Sequence, residues 1–142
     1  MSAVKLLPPR GRVVDVGCGT GLIIEFLRST GLLSQVEELV CLDVSSGMLS
    51  VASRRASEAC GGKCSLVAGD ALRLPFKDGS FDVAYSFSVI NLLEDPAAAM
   101  NEVARVSRAS LVTLVSRLRV PEPPAGWRYA GPAGKDVAYV RP

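Results

Sequence analysis

Residues 13–21 read VVDVGCGTG: two β-formers, a carboxylate, a third valine, then glycine at every second position. Val13 to Val16 has the β-branched, apolar character of a buried strand. Glycines directly after such a strand let the chain turn with positive φ and let a ligand approach the backbone without meeting a Cβ. In an open parallel sheet, ligands bind beyond the carboxyl ends of the strands, where the first strand turns into its helix, and this stretch sits at that turn. A purely structural glycine turn uses the same residues, so the stretch alone does not name a ligand. Its spacing argues against one familiar loop and more firmly excludes another. A dinucleotide fingerprint would need a glycine where Leu22 stands, and no G-K-[ST] follows, as a P-loop requires.

Working outward, the apolar set Leu22, Ile23, Phe26 and Leu27 predicts a helix over about Gly21 to Ser29, stopped by Gly31. A second strand follows over Leu39 to Leu42. Ser45 or Ser46 then caps a helix that runs to about Ala59 and ends at Gly61-Gly62. CSLVAGD supplies a third strand over Ser65 to Ala68, and ALRLPFKDGS is a loop punctuated by Pro75 and Gly79. FDVAYSF is a fourth strand. Asp95-Pro96 starts the helix AAAMNEVARVSR, because a capping carboxylate precedes a residue whose missing N–H would be unpaired there anyway. LVTLVS is a fifth strand, and the pieces around Trp127 to Tyr129 and Val137 to Val140 predict a terminal hairpin over Gly-Pro-Ala-Gly. Strands alternating with helices imply parallel strands joined by right-handed crossovers. The expected fold class is α/β: a Rossmann-like, open, mostly parallel sheet with helices on both faces and a C-terminal antiparallel hairpin.

At 142 residues the chain is read as a single domain spanning 1–142, long enough to bury roughly 70% of its unfolded surface. With 49% hydrophobic and 21% charged residues it has the composition of a packed globular protein. Sixteen basic against fourteen acidic residues leave +2, which is not the electrostatic footprint of a nucleic-acid binder. No apolar run approaches the ~20 residues that span a bilayer, and MSAVKLLPPRGR lacks a signal-peptide core, so the expected location is cytoplasmic, with no membrane partner. Cys18, Cys41, Cys60 and Cys64 form no C-x-x-C pair, and the chain has no histidine, so no metal site is expected. Cys60 and Cys64 bracket a Gly-Gly turn and could approach each other; a reducing cytosol favours reading them as two ordinary thiols. Side-chain amides are confined to Gln35, Asn91 and Asn101, a trait of heat-adapted proteins, without the Lys/Glu enrichment that goes with it.

Two further carboxylates close the pattern. Asp43, at the end of the second strand about 20 residues after the glycines, can accept both hydroxyls of a ribose; it could equally serve the dipole of the next helix. Asp70, at the end of the third strand, could accept from an adenine amino group while the Ala71 N–H meets a ring nitrogen; alone it would pass for a turn residue. Together VVDVGCGTG, LVCLDVSSGML and GDALRLPFKDGSFDVAYSFSVINLLEDP resemble three successive motifs of the class I S-adenosylmethionine-dependent methyltransferases. The likeness is to their small-molecule, ubiquinone/menaquinone-biosynthesis-like group and covers Val13 to about Val115.

That resemblance implies S-adenosyl-L-methionine as cofactor, with S-adenosyl-L-homocysteine as product, and a small-molecule acceptor. It implies that Asp15, Gly17, Cys18 (through its backbone), Gly19 and Gly21 line the methionine end. Asp43 would hold the ribose, Val44 and Met48 would pack near the adenine, Asp70 and Ala71 would bind its edge, and Ser86 and Phe87 would face the sulfonium and the acceptor. No residue is assigned as a general base, and Tyr85, alternating with Ser86, is read as core. The chain departs from the family in two places. Only residues 1–12 precede Val13, two of them Pro8 and Pro9, where many relatives place covering helices. RLRVPEPPAG is too proline-rich for the usual helix after the fifth strand. The expectation is therefore a minimal core without lid, its open site completed by a homodimer partner or another protein. SFSV lacks the Asn/Asp-Pro-Pro-aromatic grip of base-modifying relatives, and Arg105, Arg108, Arg117 and Arg119 read as a solvated face. A nicotinamide-dependent oxidoreductase and a non-catalytic cofactor-binding module are the competing readings.

Overall fold

Val13, Val14 and Val16 have no accessible surface, because the strand that carries them, β1 (Gly11–Val16), is the third of seven strands and is covered on both faces. The structure is a computed structural model that describes residues 1–142. Its elements run β1, α1 (Leu22–Ser29), β2 (Val36–Asp43), α2 (Ser46–Ala59), β3 (Cys64–Ala68), β4 (Phe81–Phe87), α3 (Pro96–Arg105), β5 (Ser107–Val115), β6 (Arg128–Ala133) and β7 (Asp136–Arg141). The sheet order is β3-β2-β1-β4-β5-β7-β6, with β1 to β5 parallel and β7 antiparallel to both neighbours. The chain winds outward from β1 through β2 to β3, then crosses back to β4 and winds the other way. The strand order thus reverses between β1 and β4, the point at which such a sheet opens a crevice.

Two apolar layers hold the sheet. On one face Ile23, Ile24 and Leu27 of α1 and Leu49 and Ala56 of α2 pack with Ala3 and Val4 of an N-terminal 3-10 turn (Ser2–Leu6). On the other, Ala99, Met100 and Val103 of α3 join Ile90, Leu74, Phe81 and Trp127. α2 starts at Ser45, whose side chain accepts from the Met48 N–H, and α3 starts at Asp95, whose side chain accepts from the Ala98 N–H ahead of Pro96. No helix is long and apolar enough to cross a membrane.

The fold class is as expected; three local features differ. α3 ends at Arg105, and β5 begins at Ser107, four residues before LVTLVS, because Ser107 already pairs with Phe81 in the sheet. The hairpin reverses at Gly134-Lys135, leaving Gly131 and Pro132 inside β6, where Gly131 follows a register irregularity. Pro132 is tolerated there because β6 is an edge strand, with one side free of ladder bonds. Cys60 and Cys64 are not separate thiols: they form a disulfide, Cα to Cα 5.7 Å, joining the end of α2 to the start of β3.

Candidate functional site

Two clefts open on the carboxyl ends of β1, β2 and β4 and share Gly17. The first, of about 370 Å³, is lined among others by Asp15, Cys18, Gly19, Met48, Phe87 and Ser88. The second, of about 310 Å³, is lined among others by Asp43, Val44, Asp70, Ala71 and Val89. A side chain on Gly17, which has φ +79°, would come within 2.8 Å of Val89 Cγ2, so only glycine lets the wall between the clefts close. At Gly19, φ +57°, an added Cβ would meet nothing within 4 Å; the backbone there faces open space that a ligand can enter.

Asp15 supplies the charge of the first cleft. Placed opposite Cys41 and Tyr85 in the register of the central strands, it is 2% exposed, and its Oδ1 has no hydrogen-bond partner. Burial, and secondarily the nearby Asp43 carboxylate, push its pKa up from 3.8 to about 7. A buried carboxyl with an unpartnered oxygen at the floor of a cleft is built to receive a cation or a strong donor.

Asp43 does structural work as well. Its Oδ2 accepts from the Gly19 N–H at 2.8 Å and its Oδ1 from the Ser45 N–H at 2.9 Å, stapling the glycine turn to the end of β2. Each oxygen keeps a further lone pair for a ligand hydroxyl in the second cleft. The Asp70 Oδ1 accepts from the Leu72 N–H at 2.9 Å, while the Ala71 N–H bonds to no protein group. The loop that carries them is pinned from α3: the Arg105 guanidinium donates to the Leu74 and Phe76 carbonyls and to Asp78, and Glu102 accepts from the Leu74 N–H. Hydrogen bonding to Arg105 holds Glu102 below the usual carboxylate range.

The structure brings Asp15, Gly17, Cys18, Gly19 and Phe87 to the first cleft and Asp43, Val44, Asp70 and Ala71 to the second. It places three others differently. Met48 lines the first cleft, not the second where the adenine was expected. Gly21 lines neither: an added Cβ would stand 3.0 Å from Ala52 Cβ, so this glycine, with φ +80°, lets α1 pack against α2. Ser86 is fully buried, and its hydroxyl donates to the Val16 carbonyl at 2.8 Å; strand alternation turns it away from the face that carries Phe87. The Cys18 N–H is spent on the Leu42 carbonyl, so its backbone lines the cleft without a free donor. Tyr85 is core: buried and stacked on Phe87, it donates its hydroxyl to the Leu7 carbonyl. Burial, then the Asp15 charge, keep that phenol protonated. Met1, Thr20, Leu22 and Ser88 also line the first cleft. Thr20 and Leu22 could have been taken from the glycine turn itself; Met1 arrives through the N-terminal turn, which no motif announces. No group of three or more potential ligands is placed to hold a metal ion.

An acid-floored cleft at a glycine turn, adjoining at Gly17 a second cleft that offers a carboxylate at each of two strand ends, defines a nucleoside-cofactor protein of the doubly wound α/β type. Comparison with known proteins makes this specific: residues 14–110 match the family described as "Methyltransferase domain", and the chain belongs to that family, that of the class I S-adenosylmethionine-dependent methyltransferases. The demethylmenaquinone methyltransferase of Renibacterium salmoninarum is 39% identical over 114 residues, covering 80% of this chain and 44% of that protein. A chain of the Haloferax volcanii complex between the Trm112 methyltransferase activator and a methyltransferase superposes with TM-score 0.67 at 26% identity, over 80% of this chain and 50% of that one. A methyltransferase dependent on S-adenosylmethionine from Aquifex aeolicus shares the fold over 98% of this chain and 85% of its own, with TM-score 0.74 at 16% identity. The chain spans about half the length of the curated relatives it matches.

Proposed function

We propose that this chain binds S-adenosylmethionine across the two clefts and transfers its methyl group to a small-molecule acceptor. The observation that carries the reading is the buried Asp15 carboxyl, one oxygen of which has no partner, in the lining of a cleft that the bare backbone of Gly19 also lines. Asp15 would receive the amino group of the methionine end, with Gly17, Cys18, Gly19, Met48 and Phe87 around it. Asp43 would take the ribose hydroxyls on its remaining lone pairs, and Asp70 and the Ala71 N–H the adenine edge. Val44, 81% exposed, gains a reason for its apolar surface once an adenine lies over it.

When bound, the cofactor supplies a methyl group already activated on a sulfonium. The protein's share is alignment and exclusion of water, and alignment of this kind can supply ~7–11 kcal/mol of barrier reduction. Leu22, Val44, Met48, Leu92, Leu118 and Val120 are exposed apolar residues from the segments that follow successive strands at this end of the sheet. Such a rim suits an apolar acceptor body, and it suits a second copy of the chain or a partner protein that completes the site. The Renibacterium relative's name and the Haloferax complex support those two directions. The reading extends to a cytoplasmic enzyme; fractionation of cells that make the chain tests that part, and recovery outside the cytosolic fraction removes it.

Calorimetry with S-adenosylmethionine, S-adenosylhomocysteine and NAD tests the core of the proposal. Micromolar binding of the two sulfur compounds without NAD is the expected result, and absence of binding by both removes the reading.

A further inference from the structure

Ser88 is the sole non-glycine residue with positive φ, +59°, in the chain. It directly follows β4, lines the first cleft, and has its N–H fixed to both the carbonyl and the Oγ1 of Thr113, each at 3.0 Å. A strained backbone over-determined in this way marks a position where side-chain direction matters. Its hydroxyl donates to the Oδ2 of Asp136, the first residue of β7.

Asp136 opens onto a third cleft, of about 490 Å³, lined by Val115, Ser116, Arg117, Lys135 and Asp136. Antiparallel pairing builds it: Val115 stands opposite Asp136, and the Ser116 hydroxyl donates to the Lys135 carbonyl, so the end of β5 and the start of β7 face each other. Arg117 and Lys135 both belong to this cleft, and neither has a carboxylate partner among the ion pairs of the molecule. Two unpaired cations beside one carboxylate, one hydrogen bond away from the cofactor cleft, make a site with an anion-binding end and a hydroxyl-accepting end.

We propose that this third cleft receives the methyl acceptor, and that the acceptor is a hydroxylated small molecule carrying a carboxylate or phosphate. Arg117 and Lys135 hold the anionic group. Asp136, oriented by Ser88, accepts the hydrogen bond of the hydroxyl and so turns that oxygen toward the first cleft. As the oxygen bonds to the methyl carbon and the carbon–sulfur bond of the sulfonium breaks to leave neutral S-adenosylhomocysteine, the hydroxyl proton passes to the Asp136 carboxylate. The inference rests on the methyltransferase reading and names the acceptor class for it.

The test is a titration of the isotopically labelled full chain, saturated with S-adenosylhomocysteine, with 4-hydroxybenzoate, 4-hydroxyphenyl phosphate, benzoate and neutral 4-hydroxybenzamide, followed by amide NMR shifts. At least one of the two hydroxylated anions should bind about tenfold or more tighter than the amide, with shifts centred on Ser88, Ser116 and Lys135; which one binds better separates carboxylate from phosphate. Arg117→Gln and Lys135→Gln, both at exposed positions, should each bring anion affinity down toward that of the amide and leave S-adenosylhomocysteine affinity unchanged. Removing the hydroxyl, as in benzoate, should cost affinity in the wild type and nothing in Asp136→Ala or Ser88→Ala. Equal binding of the neutral probe, shifts centred elsewhere, or no binding of either hydroxylated anion overturns the proposal. If S-adenosylhomocysteine itself does not bind, it is the methyltransferase reading that falls.

Discussion

Asp15 ties cofactor recognition to pH. Its pKa is about 7 in the folded chain against 3.8 for a free carboxyl, raised first by burial and then by Asp43. Below pH 3.8 both folded and unfolded states hold the proton. Between 3.8 and 7 the unfolded chain ionises first, so this group's contribution to stability falls as pH rises and is lost above pH 7, by roughly 4 kcal/mol at most. Asp15→Asn should therefore raise the melting temperature at pH 8 and change it little at pH 4. The same variant should weaken S-adenosylhomocysteine by roughly 10- to 100-fold, the worth of a buried charge-assisted hydrogen bond. Wild-type affinity should rise from pH 6 to pH 8 as the carboxylate becomes available; a flat profile would remove Asp15 from the amino-group role. Asp43→Ala should lower both affinity and stability, the latter by ~1–3 kcal/mol, because the Gly19 and Ser45 N–H groups lose their acceptor. Asp70→Ala should lower affinity with stability unchanged within ~0.5 kcal/mol, since this side chain is exposed. Asp43 and Asp70 were legible in the sequence as acids at the ends of two apolar runs, and Asp15 through the resemblance of the glycine turn to the family's first motif. Ser88 and Asp136 were not: they are 48 residues apart and meet only through an antiparallel register that no local pattern encodes.

Among the elements, α3 does more than cover the sheet. Arg105, in its last turn, reaches across to the loop between β3 and β4, which carries one wall of the second cleft. Arg105→Ala should loosen that loop, giving faster hydrogen exchange over residues 71–78 and several-fold weaker cofactor binding, although Arg105 touches neither cleft. Asp95→Ala removes only the cap of the same helix and should cost ~1 kcal/mol without a comparable loss of affinity. The helix start was readable because capping is local; its early end was not, because Ser107 leaves the helical pattern to pair with Phe81, 26 residues back. The bond between Cys60 and Cys64 closes a loop with a sequence separation of only 4, so chain entropy gives it about 2 kcal/mol. A reductant-induced fall in melting temperature of that order, absent in Cys60→Ala, checks the value. A spacing of four residues around two glycines permits such a bond without requiring it, which is why sequence left it open.

At the scale of the molecule, binding and folding are one equilibrium. Cofactor at about 100 times its Kd should add ~2.7 kcal/mol to the unfolding free energy, a melting shift on the order of 10 °C, and NAD should add none. The sheet order has a further consequence for how the chain is made. β7 leaves the ribosome after β1 to β6, yet it lies inside the sheet, between β5 and β6. Until residues 136–141 emerge, β5 presents an unpaired edge whose SLVTLV segment carries no charge, an invitation to pairing with another nascent chain. Asp136 and Lys135 arrive with that same strand. Vectorial synthesis thus fixes an order of maturation in which the cofactor clefts form from the first two thirds of the chain, and the third cleft comes into being only when the exposed edge is sealed.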